Sequence, residues 1–359
     1  MEPRVMVMAG GTGGHVFPAL AVADWLRQQG CEIFWLGTSL GIEARLIPEQ
    51  GYTLESIHIQ GLRGSGWKRQ LAAPFVVFRA LWQVLRVLRR RRPNLVLGMG
   101  GFVTGPGGVM ARLLRIPLVI QEQNAIPGLT NRILGHIATR VFEAFPGSFA
   151  SSLKAEVSGN PVRAEISALE SPERRFARHT GSRRLLVLGG SLGAQALNRQ
   201  VPEALGRLPA ELRPQVRHQA GENHHAETLE RYAALGVKAQ VVPFENDMAE
   251  AYGWADLVIC RAGALTVSEL AAAGVGAILV PYPHAVDDHQ TRNAAWLAEA
   301  GGALLEPQAA LTADRLALLL AQLLPDRERL LNMARAARRL AQADAAALVG
   351  RACLQEMRQ

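Results

Sequence analysis

Apolar residues in this chain alternate between short continuous runs and longer stretches where they recur every three or four positions, with glycine clusters at the joins. Runs of the first kind predict buried strands, and stretches of the second kind predict the helices that cover them. Val5 and Val7, with neighbouring Met6 and Met8, form the first run. Pro18 is the predicted opening of a helix carrying Ala19, Leu20, Val22, Ala23, Trp25 and Leu26 towards Gly30. The alternation continues with a strand from Glu32 to Leu36, a short helix from Ile42, a strand from Asn94 to Gly98, a helix from Val109, and strands Leu118 to Gln121 and Val141 to Phe145. Around Gly159-Asn160-Pro161-Val162-Arg163 the pattern breaks, and a charged, proline-bearing stretch runs to Arg184.

Beyond that break the opening architecture returns. Strand Arg184 to Leu188 leads into Gly189-Gly190-Ser191-Leu192-Gly193-Ala194 and a helix from Gln195, followed by strands near Val216 to Ala220, Ala239 to Val242 and Asp256 to Cys260. From Leu311 the pattern is helical, and its tail, Leu330 to Met357, is expected to pack across both halves. The β-α-β order predicts an α/β protein of two doubly wound, Rossmann-like domains facing each other across a cleft. Their expected limits are residues 1–160 and 161–340, with residues 341–359 as a helix crossing between them.

The chain has 359 residues, of which 49% are apolar and 19% charged, and no run approaches the roughly 20 uninterrupted apolar residues of a membrane span. Its start lacks the basic segment, apolar run and small-residue cleavage site of a secretory signal, so a cytoplasmic location is expected. Cys31, Cys260 and Cys353 are too far apart to predict a disulfide framework or a cysteine zinc site. Lys plus Arg outnumber Asp plus Glu by 39 to 31, which favours phosphate-bearing partners.

Candidate chemistry gathers at the joins. Gly10-Gly11-Thr12-Gly13-Gly14-His15 lies between a strand and a helix start, where backbone amides can approach a phosphate or diphosphate closely, and a purely structural turn would not need His15. The absence of GxGxxG, and of an acidic residue closing the second strand, argues against a nicotinamide or flavin cofactor. Gly100-Gly101-Phe102-Val103-Thr104 opens a second phosphate-compatible loop, and Glu122-Gln123-Asn124 stand at a strand's carboxyl edge, where open α/β sheets place ligand groups. In the second half, Thr266 and Glu269 fit a helix capping box, and equally a carboxylate placed to accept ribose hydroxyls. Gln290 and Asn293 suit sugar hydroxyls, while His284, Asp287 and His289 match no strong metal-ligand spacing.

One helix stands apart. From Pro74, residues Phe75, Phe78, Trp82, Leu85 and Leu88 recur at helical spacing, with Arg79, Arg86 and Arg89 to Arg92 around them, after a basic loop over residues 61–73. This pattern serves a core-facing helix with a basic end, or an interfacial helix whose aromatic side enters an anionic membrane surface while Arg79, Arg86 and Arg89 hold headgroups. No recognition-helix signature supports nucleic acid.

The ordered set GGTGGH, GMGGFVTGPGG, EQN, GNPVR, GGSLGA and GALTVSE resembles the MurG family of peptidoglycan glycosyltransferases, and the resemblance spans almost the whole chain. It implies a GT-B fold, UDP-N-acetylglucosamine (UDP-GlcNAc) as donor, and as acceptor lipid I, an undecaprenyl-diphosphate-linked muramoyl pentapeptide. It also implies inversion at the anomeric carbon, no cofactor, and peripheral attachment to the cytoplasmic side of the cell inner membrane. Carried over by position, Arg163 and Ser191 would hold the donor diphosphate, Glu269 the ribose, and Ala264, Leu265, Thr266, Val267 and Ser268 the nucleotide. Phe244 and Glu245 would lie at the uracil, and Gln290, Asn293 and Asn124 at the GlcNAc hydroxyls. Thr12, Gly13, Gly14 and His15 would border the reacting centre, with Gly14, His15, Gly100, Gly101 and Thr104 at the acceptor diphosphate. A neutral imidazole suits removal of the acceptor proton, making His15 the candidate base, with Glu122 as its competitor. A UDP-GlcNAc 2-epimerase of the same fold and a non-catalytic, membrane-docked UDP-sugar sensor are the alternative readings.

Overall fold

A computed structural model of the chain describes residues 2–59, 67–190 and 193–358. It divides into two compact units, Met1–Arg163 with Asp344–Gln359, and Ala164–Ala343. The first unit runs β1 (Arg4–Met8), α1 (Gly13–Gln28), β2 (Glu32–Gly37), α2 (Glu43–Glu49), β3 (Thr53–Ser56), α3 (Trp67–Arg91), β4 (Leu95–Gly98), α4 (Thr104–Leu113), β5 (Leu118–Glu122), α5 (Leu129–Leu134), β6 (Arg140–Glu143) and β7 (Glu156–Val157). Its parallel strands lie in the order β3-β2-β1-β4-β5-β6-β7. Central strands covered on both faces must be apolar throughout. Val5 and Val7 accordingly pack with Leu95, Val119 and Phe142 on one face, while Met6 and Met8 pack with Val96 and Ile120 on the other.

The second unit continues with α6 (Ala164–Ser167), α7 (Pro172–Arg178), β8 (Arg184–Leu188), α8 (Gln195–Arg207), β9 (Gln215–Gln219), α9 (His225–Ala234), β10 (Gln240–Val242), α10 (Met248–Trp254), β11 (Leu257–Cys260), α11 (Ala264–Ala273), β12 (Gly276–Leu279), α12 (His289–Glu299), β13 (Ala303–Leu305), α13 (Ala313–Leu323) and α14 (Arg327–Arg339). Its parallel strand order is β10-β9-β8-β11-β12-β13. The last helix, α15 (Ala345–Glu356), belongs to the first unit: Val349, Ala352 and Cys353 enter the core that α1 and β1 share. The tail expected as one crossing element is therefore two helices with different cores, since Leu330, Met333 and Ala334 of α14 pack in the second unit.

Three proline and glycine readings need correction. α1 begins at Gly13 and not at Pro18, which sits in its second turn, and α4 begins at Thr104 and not at Val109. Helix α3 begins at Trp67, so Pro74 is internal and residues 67–73 are helical, while the remainder of the expected basic loop, residues 61–66, lies outside the described residues. The charged stretch after Arg163 holds α6 and α7, the latter capped by Ser171, whose side chain accepts from the Arg174 amide. Among the described residues no helix is long and apolar enough to cross a membrane.

Candidate active site

In the first unit three loops leave the carboxyl edge of neighbouring strands β1, β4 and β5, and each is held by a buried polar side chain. After β1, the Gly11 amide donates to Glu43 at 3.1 Å, and the same carboxylate accepts from the Thr38 amide and hydroxyl at 3.0 and 2.7 Å. Glu43 is fully buried, so its charge is matched by these donors rather than by water. Trp35 donates its indole N–H to Ala9 O at 2.8 Å, fixing the end of β1. Thr12 is extended and starts α1, which leaves Gly13, Gly14 and the half-buried His15 in the helix's first turn.

The loop after β4 packs against the first one. Gly100 and Gly101 both have positive φ, 97° and 88°. A Cβ at Gly101 would stand 2.4 Å from Gly10 O, so the two chains approach as only glycine allows. The expected contact of Thr104 with an acceptor diphosphate is corrected: its hydroxyl is buried and donates towards Gly100 O, 2.8 Å away, so it braces the loop from beneath.

The loop after β5 closes on Glu122. This buried carboxylate accepts from the Asn124 amide and side chain at 2.9 and 3.1 Å through one oxygen, and from the Gly128 amide and Asn131 Nδ2 at 3.1 and 3.0 Å through the other. Four donors on two oxygens occupy its lone pairs, so in this structure Glu122 clasps the loop after β5. Gln123 lies beside it, its Oε1 2.7 Å from His15 Nδ1. Arg163 is half-buried, with its guanidinium 5.9 Å from the ring centroid of Phe17, one turn beyond Gly13.

In the second unit the glycine loop after β8 is fixed by Gln219, which donates to Gly190 O at 2.8 Å; Ser191 lies outside the described residues. The capping-box reading of Thr266 and Glu269 is corrected, because α11 begins at Ala264 with Gly263 as its cap and no side-chain capping bond. Glu269 is instead buried, with one oxygen accepting from the hydroxyl of the fully buried Tyr252 at 3.1 Å. Leu265, Thr266 and Ser268 are partly open to solvent, whereas Ala264 and Val267 are buried. Phe244 is exposed beside the half-buried Glu245, whose Oε1 accepts from the Asp247 amide. Gln290 accepts the Tyr282 amide at 2.9 Å through Oε1. Asn293 has no exposed surface, and its Nδ2 donates to Ala262 O at 3.2 Å, so here it tethers the loop rather than presenting an amide to a sugar.

On α3, Phe75, Phe78 and Trp82 are 72%, 69% and 51% exposed beside exposed Arg79, Arg86 and Arg89, with the Arg86 guanidinium over the Trp82 ring at 4.6 Å. Leu85 is only half-buried and Leu88 belongs to the core, so the outward row is shorter than the periodicity suggested. Glu43, Asn131, Asn160 and Tyr252 escaped the sequence reading. Their partners include residues five positions away, as Thr38 from Glu43, and 37 away, as Gln123 from Asn160, and no local motif marks these pairings.

Residues 5–143 match the glycosyltransferase family 28 N-terminal domain and residues 184–349 the glycosyltransferase family 28 C-terminal domain. The chain belongs to glycosyltransferase family 28, and its two parallel-sheet units form the GT-B fold. It is 57% identical over 352 residues, 98% of this chain and 97% of the other, to the UDP-N-acetylglucosamine--N-acetylmuramyl-(pentapeptide) pyrophosphoryl-undecaprenol N-acetylglucosamine transferase of Marinobacter nauticus. Among solved structures it is similar to Acinetobacter baumannii MurG, with TM-score 0.86 and 44% identity over 98% of this chain and 99% of that one. A UDP-N-acetylglucosamine 2-epimerase, at TM-score 0.65 and 14% identity over 97% of this chain and 94% of that one, shares the fold alone.

Proposed function

We propose that this protein transfers N-acetylglucosamine from UDP-GlcNAc to the 4-hydroxyl of the N-acetylmuramoyl group of lipid I, giving lipid II for peptidoglycan synthesis. The observation that carries the reading is the full-length similarity to the Marinobacter nauticus transferase, at more than half identity and with both family 28 domains in order. Nothing comparable favours the epimerase or the sensor.

The reaction is a single displacement. The acceptor oxygen attacks C1 of GlcNAc, the bond from C1 to the UDP oxygen breaks with its electron pair on the diphosphate, and the acceptor proton passes to His15. Inversion follows from one backside attack. Charge growing on the leaving diphosphate is assigned to Arg163, Ser191 and preorganised loop amides, which need no reorganisation as it develops. Glu269, braced by Tyr252, is assigned to the ribose, Phe244 and Glu245 to the uracil, and Gln290 and Asn124 to the sugar. Gly14, Gly100 and Gly101 offer backbone to the acceptor diphosphate.

The acceptor is a membrane lipid in this reading, and the exposed aromatic row of α3 with its arginines is the surface that meets the anionic cytoplasmic face. UDP release from UDP-GlcNAc, measured with and without a short-chain lipid I analogue in EDTA, tests the assignment. Acceptor-dependent release supports it, and tight donor binding with no release in either condition overturns it.

A further inference from the structure

The amide side chains behind His15 form a chain of one-way hydrogen bonds. Gln121 is fully buried, and its Nε2 lies 3.2, 3.3 and 3.3 Å from Glu122 O, Gly159 O and Asn160 Oδ1, all acceptors. Its Nε2 must therefore face them, and its Oε1 must face the other way. There it meets Gln123 Nε2 at 2.6 Å, which also donates to Gln121 O at 3.1 Å. Reversing the Gln123 amide would set oxygen against two oxygens, so its Oε1 is committed to the remaining side, 2.7 Å from His15 Nδ1. Asn160 locks the frame by donating Nδ2 to Gln123 O at 2.9 Å.

An amide oxygen accepts and cannot donate. His15 Nδ1 must therefore carry the hydrogen, which leaves Nε2 as the bare lone pair of the neutral ring. Among the described residues Nε2 has no hydrogen-bond partner, and the ring's Nδ1 edge is held over Gly100. The carboxylates of Glu43 and Glu122, which hold the loops after β1 and β5, are both bonded to loop donors. We propose that Gln123 is the positioning residue of the reaction: backed by Gln121 and Asn160, it holds His15 in the Nδ1–H tautomer so that Nε2 receives the acceptor proton. The proposal rests on the reading of His15 as base.

The test is the tautomer itself. In the full-length protein labelled with 15N-histidine, long-range 1H–15N spectra above neutral pH distinguish the two nitrogens, and a His15→Gln variant identifies the signal among nine histidines. Wild-type His15 is expected as the Nδ1–H form alone. In Gln123→Met, which keeps the length but cannot accept the bond, it becomes a mixture, and kcat falls about 10–100-fold while KM for UDP-GlcNAc stays within about twofold. An Nε2–H ring in the wild type overturns the proposal without any variant. So does a folded Gln123→Met protein with unchanged kcat and tautomer. If the wild-type ring is Nδ1–H but no acceptor-dependent UDP release occurs, the transferase reading fails while the tautomer assignment stands.

Discussion

Gly100 lies directly against the imidazole of His15: a Cβ built there would stand 2.7 Å from Nδ1 and 2.9 Å from Cε1. With φ at 97°, the position also lies where side chains are strained. Gly100→Ala should push the ring off Gln123. It is expected to cost about 1–3 kcal/mol of stability from backbone strain and to lower kcat at least tenfold. Thermal melting and steady-state kinetics check the two separately, and an alanine variant with native kcat would show that the ring tolerates displacement.

His15 and Glu122 should separate cleanly. His15→Ala is expected to lower kcat by about 10²–10⁴ while UDP-GlcNAc affinity is nearly unchanged. Glu122→Gln turns an acceptor into a donor facing N–H groups, so it should lower stability by about 1–3 kcal/mol and loosen the loop after β5. If Glu122→Gln is as inactive as His15→Ala yet melts at the native temperature, Glu122 is not a clasp but chemical machinery.

Tyr252→Phe removes the hydroxyl that braces Glu269. Its expected effect is a KM for UDP-GlcNAc raised about 3–10-fold with kcat preserved, because one charge-assisted hydrogen bond is lost from a group that binds donor and transition state alike. Equal damage to kcat would place Glu269 nearer the reacting bond than the ribose.

The outward row of α3 predicts a division between lipid and soluble substrate. A Phe75→Ser, Phe78→Ser, Trp82→Ser variant should lose most sedimentation with phosphatidylglycerol-rich vesicles and activity on vesicle-embedded acceptor. Turnover of a short-chain acceptor in solution should persist. Undiminished vesicle binding would assign membrane attachment elsewhere.

His218 makes stability depend on pH. Its ring is buried between the Tyr232 hydroxyl and Asn198 Oδ1, at 2.9 and 3.0 Å, and burial pushes its pKa down to about 3. Unfolded histidine titrates near 6.5, so below that pH the unfolded chain takes up a proton that the native ring refuses. Stability from this site is present above pH 6.5 and falls towards pH 3, by about 2 kcal/mol at pH 5. Melting temperatures from pH 7 to 5 should drop more steeply for the wild type than for His218→Gln, and parallel slopes would rule the site out.

The parallel strands were legible because burial on both faces writes them as unbroken apolar runs, and the glycine loops because close backbone approach admits little else. Helix starts were not. At Gly13 and Thr104 the first turn is rich in glycine, whose weak helical preference is overridden by packing, and at α1 and α3 the prolines at positions 18 and 74 drew the boundary too late. Strand β7, two exposed residues long, carries no periodicity to read. In the site, residue types were visible but partners were not: nothing local to Glu43 says that it meets Gly11, or to Tyr252 that it meets Glu269. Glu122 looked reactive because a carboxylate at a strand's carboxyl edge often is, and only its four donors reveal its occupation.

Helix α15 carries a consequence for how the protein is made. A Cβ at Gly350 would stand 2.2 Å from the indole of Trp25, so the end of the chain fits tightly against a helix near its beginning. Because the first unit's core takes α15 from beyond residue 343, it cannot close until residues 164–343 have been made, and those residues hold a core of their own.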